Sequence, residues 1–255
     1  MARQPDGPPP PPTVQRLRLR YTKRGPLRFA SHRDLARALE RALRRAQVPM
    51  AFSAGFSPHP KISYVGAAPT GAASEAEYVE IGLAQRCDPE AVRTALDDSL
   101  PPGIDVLECV EATEGGGSLA DRIDATRWRI ELPGIEPAEL GAAVAALLAA
   151  GEVTVAKRTK NGLRDVDARA AVAGASAGEE AGCAILHMVV RQVTPAVRPD
   201  DVLAALVAVA DLRPPSPPRA VREAQGRLDD NGTVADPLGP DRVASTRCQG
   251  EPATV

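Results

Sequence analysis

The sequence predicts an α+β fold made of two tandem βαββαβ units with disordered tails at both ends. Three observations carry that prediction. Segments of period two and segments of period 3.6 follow one another as strand, helix, strand, strand, helix, strand. The same order restarts after the break at Gly115-Gly-Gly117. Finally, 255 residues at 44% hydrophobic content can fill two small cores.

Residues 1–13, with Pro8 to Pro12, read as a disordered tail, and residues 14–114 as the first unit. Arg16-Leu-Arg18-Leu-Arg20-Tyr alternates with period two, which gives a half-buried strand with arginines on one face. Ser31 is a good N-cap with Asp34 at N3. Leu35, Ala38, Leu39, Ala42, Leu43 and Ala46 then form one apolar stripe, opposite Arg33, Arg37, Arg41 and Arg44. Ile62 to Val65 and Ala76 to Leu83 are strands joined through Pro69-Thr-Gly71. A helix from Pro89 to Leu100 is stopped by Pro101-Pro102-Gly103, and Ile104 to Glu111 returns as a strand.

The second unit, residues 115–225, repeats the order without a repeat of sequence. Arg127 to Leu132 is a strand and Pro137 to Ala150 an Ala-rich helix. Val153 to Arg158 and Leu163 to Ala168 flank Lys160-Asn161-Gly162, a hairpin signal because Asn-Gly suits a type I′ turn. Residues 173–182 read as a mobile Gly/Ala/Glu loop. A strand from Ala184 to Val193, a helix over Val202 to Val209 after Pro199, and a strand near Arg219 to Ala224 complete it. Residues 226–255 read as a second disordered tail. Each unit matches the ferredoxin-like plan, in which two helices cover one face of the sheet and leave the other free.

Composition narrows the function. The net charge of -2 conceals an asymmetry: Val14 to Tyr64 holds twelve Lys/Arg against Asp34 and Glu40, whereas Val65 to Gly115 holds two Arg against eleven Asp/Glu. A basic lobe beside an acidic one suggests a polyanion partner for the first. Cys87, Cys109, Cys183 and Cys248 form no CxxC pair, which argues against a zinc ribbon, an iron–sulfur cluster or a disulfide framework. With no membrane-length apolar run and no signal-peptide core, the expectation is a cytoplasmic protein with reduced thiols.

The candidate site lies between Phe29 and Tyr78, where two of the three histidines sit among Ser, Gly, Pro and Lys. Ser31, His32 and Arg33 open a basic helix, where free backbone N–H groups attract phosphate. His59 is held extended between two prolines, and Lys61 and Ser63 follow on one strand face. Gly55 and Phe56 precede them. Phe56 is the best candidate for stacking on a base, the other aromatic positions reading mostly as core. Arg16, Arg18 and Arg20 extend the basic surface, as do Lys157, Arg158 and Lys160 of the hairpin. Ser74, Glu75 and Glu77 form a further polar group. A metal on His32, His59, Glu75 and Glu77 lacks HxH or HxxxH spacing, so no metal is expected. Ser31, His32 and Asp34 are neighbours on a helix and do not make a triad. His187, in an apolar strand, reads as structural.

Phe29-Ala-Ser31-His32-Arg-Asp34-Leu35, Gly55-Phe56-Ser-Pro58-His59-Pro60-Lys61 and Ser74-Glu75-Ala-Glu77-Tyr78 resemble the radical SAM-linked proteins, an uncharacterised bacterial family. The likeness runs over roughly residues 14–225, with echoes at Lys157-Arg-Thr-Lys160, Asp165-Val-Asp167 and Arg198-Pro199. It implies an accessory role beside a radical SAM enzyme in RNA modification. This chain has no clustered cysteine motif for an iron–sulfur centre, so radical chemistry would reside on the partner and no cofactor is expected here. The leading expectation is therefore a noncatalytic module that holds structured RNA, tRNA or rRNA. One alternative is a metal-independent endoribonuclease, with His32 or His59 as general acid/base and Lys61 stabilising the phosphorane. The other is a protein-docking subunit whose acidic segment, Glu75 through Glu114, binds the enzyme.

Overall fold

The computed structural model describes residues 10–159 and 162–243. The chain is α+β and divides into two compact units. Of the described residues, 10–120 together with 238–243 form the first unit, and the remainder, within Asp121–Pro237, form the second. Among the described residues no helix is long and apolar enough to cross a membrane.

In the first unit the elements are β1 (Gln15–Lys23), a 3-10 turn (Gly25–Phe29), α1 (His32–Arg45), β2 (Ile62–Val65), β3 (Ala73–Leu83), α2 (Pro89–Ser99) and β4 (Val106–Glu111). The strands lie in the order β4-β1-β3-β2, and each neighbouring pair is antiparallel. Alternation does the sorting. Leu17, Leu19 and Tyr21 of β1 join Val79 and Ile81 of β3 in a core closed by Leu35, Leu39 and Leu43 of α1 and Leu96 of α2. Burying each such leucine contributes about 1.5–3 kcal/mol. The arginines between them, Arg16, Arg18 and Arg20, therefore point from the other face of the sheet.

Both helices of this unit start as their sequences dictate. Ser31 and Asp34 form a reciprocal capping box on α1, and the Asp88 carboxylate accepts from the Glu90 and Ala91 N–H groups at the start of α2. After α2 the chain must turn back tightly. Gly103 does this at φ +96, where a Cβ would stand 2.9 Å from the Arg24 carbonyl oxygen.

The charge blocks of the sequence do not remain separate in space. Because β1 lies between β3 and β4, its cations meet the acids of those strands. Arg18 pairs with Glu80, and Arg24, which follows β1, pairs with Glu75 and Asp105. Arg86 and Gln15 both reach Glu111. These pairs engage four of the eleven acids between Glu75 and Glu114: Glu75, Glu80, Asp105 and Glu111.

The second unit holds β5 (Ala125–Leu132), α3 (Pro137–Ala149), β6 (Thr154–Thr159), β7 (Gly162–Asp167), α4 (Ala168–Ala171), β8 (Val172–Glu180), β9 (Cys183–Arg191), α5 (Pro199–Ala210) and β10 (Arg219–Gly226). Its sheet runs β10-β5-β9-β8, and β6-β7 stands apart as a two-stranded hairpin. Two expectations are corrected here. The hairpin is not part of the main sheet, and residues 173–180 are a strand rather than a mobile loop. Gly, Ala and Ser give β8 no strand signal of its own. It is held by antiparallel pairing with β9, from Val172↔Val190 to Glu180↔Cys183. The turn between them, Ala181-Gly182, has both residues at positive φ, as a two-residue I′ turn requires.

The C-terminal segment departs from expectation as well. Residues 227–243, read as part of a disordered tail, are folded. Leu228 bridges Val234, Leu238 is buried, and residues 239–243 are helical. The tail segments 1–9 and 244–255 lie outside the described residues.

Candidate functional site

The site is built around β2 and the loop before it. Phe52 pairs with Pro60 across the neck of that loop, the Ser53 N–H donates to the His59 carbonyl at 2.8 Å, and the His59 N–H donates to Ser53 Oγ at 3.0 Å. Gly55, at φ +127, lets the loop double back and present Phe56. The strand after the neck sends Lys61 and Ser63 to the face that the core does not use. There they meet Arg16 of β1, Glu80 of β3 and His59 around a cleft of about 360 Å³. Lys61 Nζ donates to Thr13 Oγ1 at 2.9 Å, which holds the ammonium at the cleft wall. Arg16 also lines an adjoining cleft of about 520 Å³ with Thr113, Arg86 and Gly115 to Gly117.

Among the cleft's charged groups, Glu80 is the acid and is already paired with Arg18. Arg16 and Lys61 are exposed. The arrangement offers two cations, a hydroxyl and an imidazole to an anion of phosphate size, and it offers no assembled nucleophile and base.

The two histidines are not brought together. His32 stacks edge-on against Tyr64, with ring centroids 5.1 Å apart at 89°. Tyr64 packs toward the core and donates to the Ala36 carbonyl at 3.3 Å, and burial holds its phenol well above the usual tyrosine range. His59 lines the cleft on the opposite face of β2. The anion position expected at the start of α1 is also taken. Ser31 Oγ donates to the Asp34 carboxylate at 2.6 Å, which, with the Ser31 N–H, holds that carboxyl below the usual aspartate range. A second anion seated on Ser31 and the first N–H groups of α1 would face this charge, whereas the Arg33 side chain is exposed on the helix.

Several other expected contacts are structural. Arg18 is enclosed: its Nε donates to Glu80 at 2.8 Å, Nη1 to both Asp241 oxygens at 3.2 and 3.0 Å, and Nη2 to the Gly117 carbonyl at 2.6 Å. Arg20 is half-buried and donates to the Glu75 carbonyl at 2.9 Å. Ser74 and Glu77 are buried, accepting from the Ala76 and Ala68 N–H groups, and Glu75 is gripped by Arg24. The expected Ser74–Glu75–Glu77 group is thus three separate structural contacts. In the second unit Lys157 ties the hairpin to the start of α5, donating to Asp201 and to the Ala196 carbonyl. Arg158 is exposed, and Lys160 lies outside the described residues. Cys109 is buried, which pushes its thiol up to about 12 and favours the protonated form. Among the described residues no group of three or more His, Cys, Asp or Glu is placed to hold a metal.

Two features were missed or misread in the sequence. Phe29 and Phe52, read as core, are exposed by 60% and 42%, as is Phe56, the expected stacking ring, by 70%. Arg28 lies over the Phe29 ring at 4.6 Å. Nothing in the local pattern distinguishes Phe29 and Phe52 from core. The second feature is Arg37, Arg41, Arg44 and Arg45 along α1, all exposed beyond Arg33. Their helical spacing was legible, but not that Arg44 alone of them would pair with an acid among the described residues, Glu40 at 3.9 Å.

Comparison with known proteins gives the following. A family model described as "Uncharacterized protein conserved in bacteria (DUF2344)" matches residues 16–199. Among solved structures, the crystal structure of an unknown protein from Galdieria sulphuraria is 15% identical, over 77% of this chain and 92% of that one. Its TM-score is 0.24, which carries no argument about this fold. No curated protein matches the chain.

Proposed function

The chain belongs to the DUF2344 family of uncharacterized proteins conserved in bacteria, and from that premise we propose that it is a noncatalytic accessory protein that holds structured RNA, tRNA or rRNA, for modification by a radical SAM enzyme in the cytoplasm. The observation that carries this reading is the cleft beside β2. Arg16, Lys61, His59 and Ser63 converge there on a solvent-facing sheet surface, next to a loop that presents Phe56. Cations that contact phosphate beside an aromatic ring that stacks on a base are the two devices by which proteins grip unpaired or folded RNA. A ferredoxin-like reading of both units is supported by their strand orders, β4-β1-β3-β2 and β10-β5-β9-β8. The radical SAM connection rests on the motifs quoted above. Separation of His32 from His59 across β2 speaks against a two-histidine ribonuclease.

The test is recovery of the full-length protein from its native cytosol with and without nuclease, followed by binding of bulk tRNA. Expected are nuclease-sensitive RNA and an affinity that falls steeply with salt. Substitution of Arg16 and Lys61 by Gln is expected to reduce the slope of log Kobs against log salt by roughly 1–2, at ~0.7–0.9 per phosphate contact. A folded protein that retains no RNA even at low salt, yet keeps a radical SAM enzyme after nuclease, would make it a protein-docking subunit instead.

A further inference from the structure

We infer that the outward face of α1 is a second polyanion-docking surface, distinct from the cleft, and that its occupant is the phosphate backbone of the folded RNA. The inference rests on the RNA reading above. Arg33, Arg37, Arg41 and Arg44 recur at helical spacing and are all exposed. At ~1.5 Å rise per residue, they form a row roughly 16 Å long with steps of about 4.5–6 Å. Arg45 flanks the last of them.

What distinguishes this row is the contrast with β1. The fold supplies acids to Arg18 and Arg24, yet it leaves the helix nearly bare of them. The two acids on α1 are Asp34, held in the capping box, and Glu40, which makes one loose, exposed ion pair with Arg44 at 3.9 Å. Like charges three and four residues apart repel and weaken a helix, and a chain with 33 acidic residues has the means to neutralise them. An external anion relieves that repulsion. Phe29 adds a second device. It is exposed just before the first turn of α1 and carries Arg28 over its ring, so a base can stack where the arginine row begins.

Charge alone would also suit an anionic lipid surface. The helix argues otherwise, because Leu35, Ala38, Leu39, Ala42 and Leu43 are all buried in the core. No apolar face remains to enter a bilayer, as membrane-surface helices require.

Binding of full-length protein to bulk tRNA, measured by fluorescence anisotropy across a salt series, tests the surface. The comparison is between wild type, a variant with Arg33, Arg37, Arg41 and Arg44 all changed to Gln, and the Arg16→Gln/Lys61→Gln cleft variant. Gln keeps helix propensity, and circular dichroism checks that the fold survives. Expected is a slope of log Kobs against log salt reduced by roughly 3 in the helix variant, which is four contacts at ~0.7–0.9 each. An unchanged slope in the helix variant, with a reduced one in the cleft variant, overturns this surface and leaves the RNA reading intact. Absence of wild-type binding at low salt removes the RNA reading itself. Loss of binding to phosphatidylserine vesicles in the helix variant, with tRNA binding unaltered, overturns the surface in favour of a lipid partner.

Discussion

Removing the Asp241 carboxylate is the perturbation that most directly tests how the first unit is held together. Asp241 is 0% exposed and Arg18 is 2% exposed at their side chains. The carboxylate accepts twice from Arg18 and once from the Thr113 N–H at 3.0 Å. Each hydrogen bond to a charged group contributes ~1.5–3 kcal/mol, but Arg18 keeps Glu80 and the Gly117 carbonyl after the change, so the losses do not sum fully. Breaking a buried ion pair on one side costs ~3–5 kcal/mol, and the retained partners place Asp241→Ala near the lower end, about 3 kcal/mol. Urea titration reads this out. With m near ~2 kcal/mol/M, the midpoint of the transition that includes the first unit falls by about 1.5 M, and m itself does not change. Truncation after Pro237 removes the same carboxylate together with the buried Leu238, and is expected to cost at least as much. Combining Arg18→Met and Asp241→Leu with Glu80→Gln recovers part of the loss, because no charge of the cluster is then stranded, although the Thr113 N–H loses its acceptor. Should both Asp241→Ala and the truncation leave the unfolding free energy within ~0.5 kcal/mol of wild type, a shift typical of surface substitutions, the structural role assigned to this segment is wrong.

Two further outcomes are expected. Gly226→Ala places a Cβ 1.7 Å from the Ala235 carbonyl oxygen, so backbone must move. It should destabilise the second unit by ~3 kcal/mol, the upper end for overpacking, and an unchanged thermal midpoint would refute the close approach. Asp34, whose folded pKa lies below its unfolded value, lends stability that is complete above pH ~4 and is lost as pH falls through the depressed folded value. The stability difference between wild type and Asp34→Asn should therefore shrink on acidification below pH ~4, and a difference that persists or grows there would contradict the capping geometry.

Much of the architecture is local and was legible before any coordinates. Ser31 with Asp34 announces the start of α1, and the stripe from Leu35 to Leu43 names its buried face. The alternation of Leu17, Leu19 and Tyr21 with arginines defines the two faces of β1. Lys160-Asn161-Gly162 predicted a hairpin here, and β6 pairs with β7 from Thr154↔Asp167 to Thr159↔Gly162; Gly162 itself opens β7, and residues 160 and 161 lie outside the described residues. Each of these signals is a periodicity or a cap spanning only a few residues, and local sterics suffice to read it. The cleft was legible in the same way through Lys61 and Ser63, which share a strand face.

Tertiary structure decided what each side chain is used for. Arg16 and Arg18 share a face of β1, and nothing local separates them. Arg18 is consumed by Asp241, 223 residues away, whereas Arg16 faces solvent in the cleft. β8 carries no strand signal because its residues are small, and only the ladder from β9 makes it a strand. Whether His32 meets His59 depends on which face of β2 each one reaches. The two charge blocks cancel or persist according to strand order: β1 lies between the acids of β3 and β4, while α1 lies outside the sheet and keeps its cations. Sequence therefore determined the elements, because their causes are local. The pairings that separate a structural arginine from an available one are long-range, and only the folded chain brings those partners together.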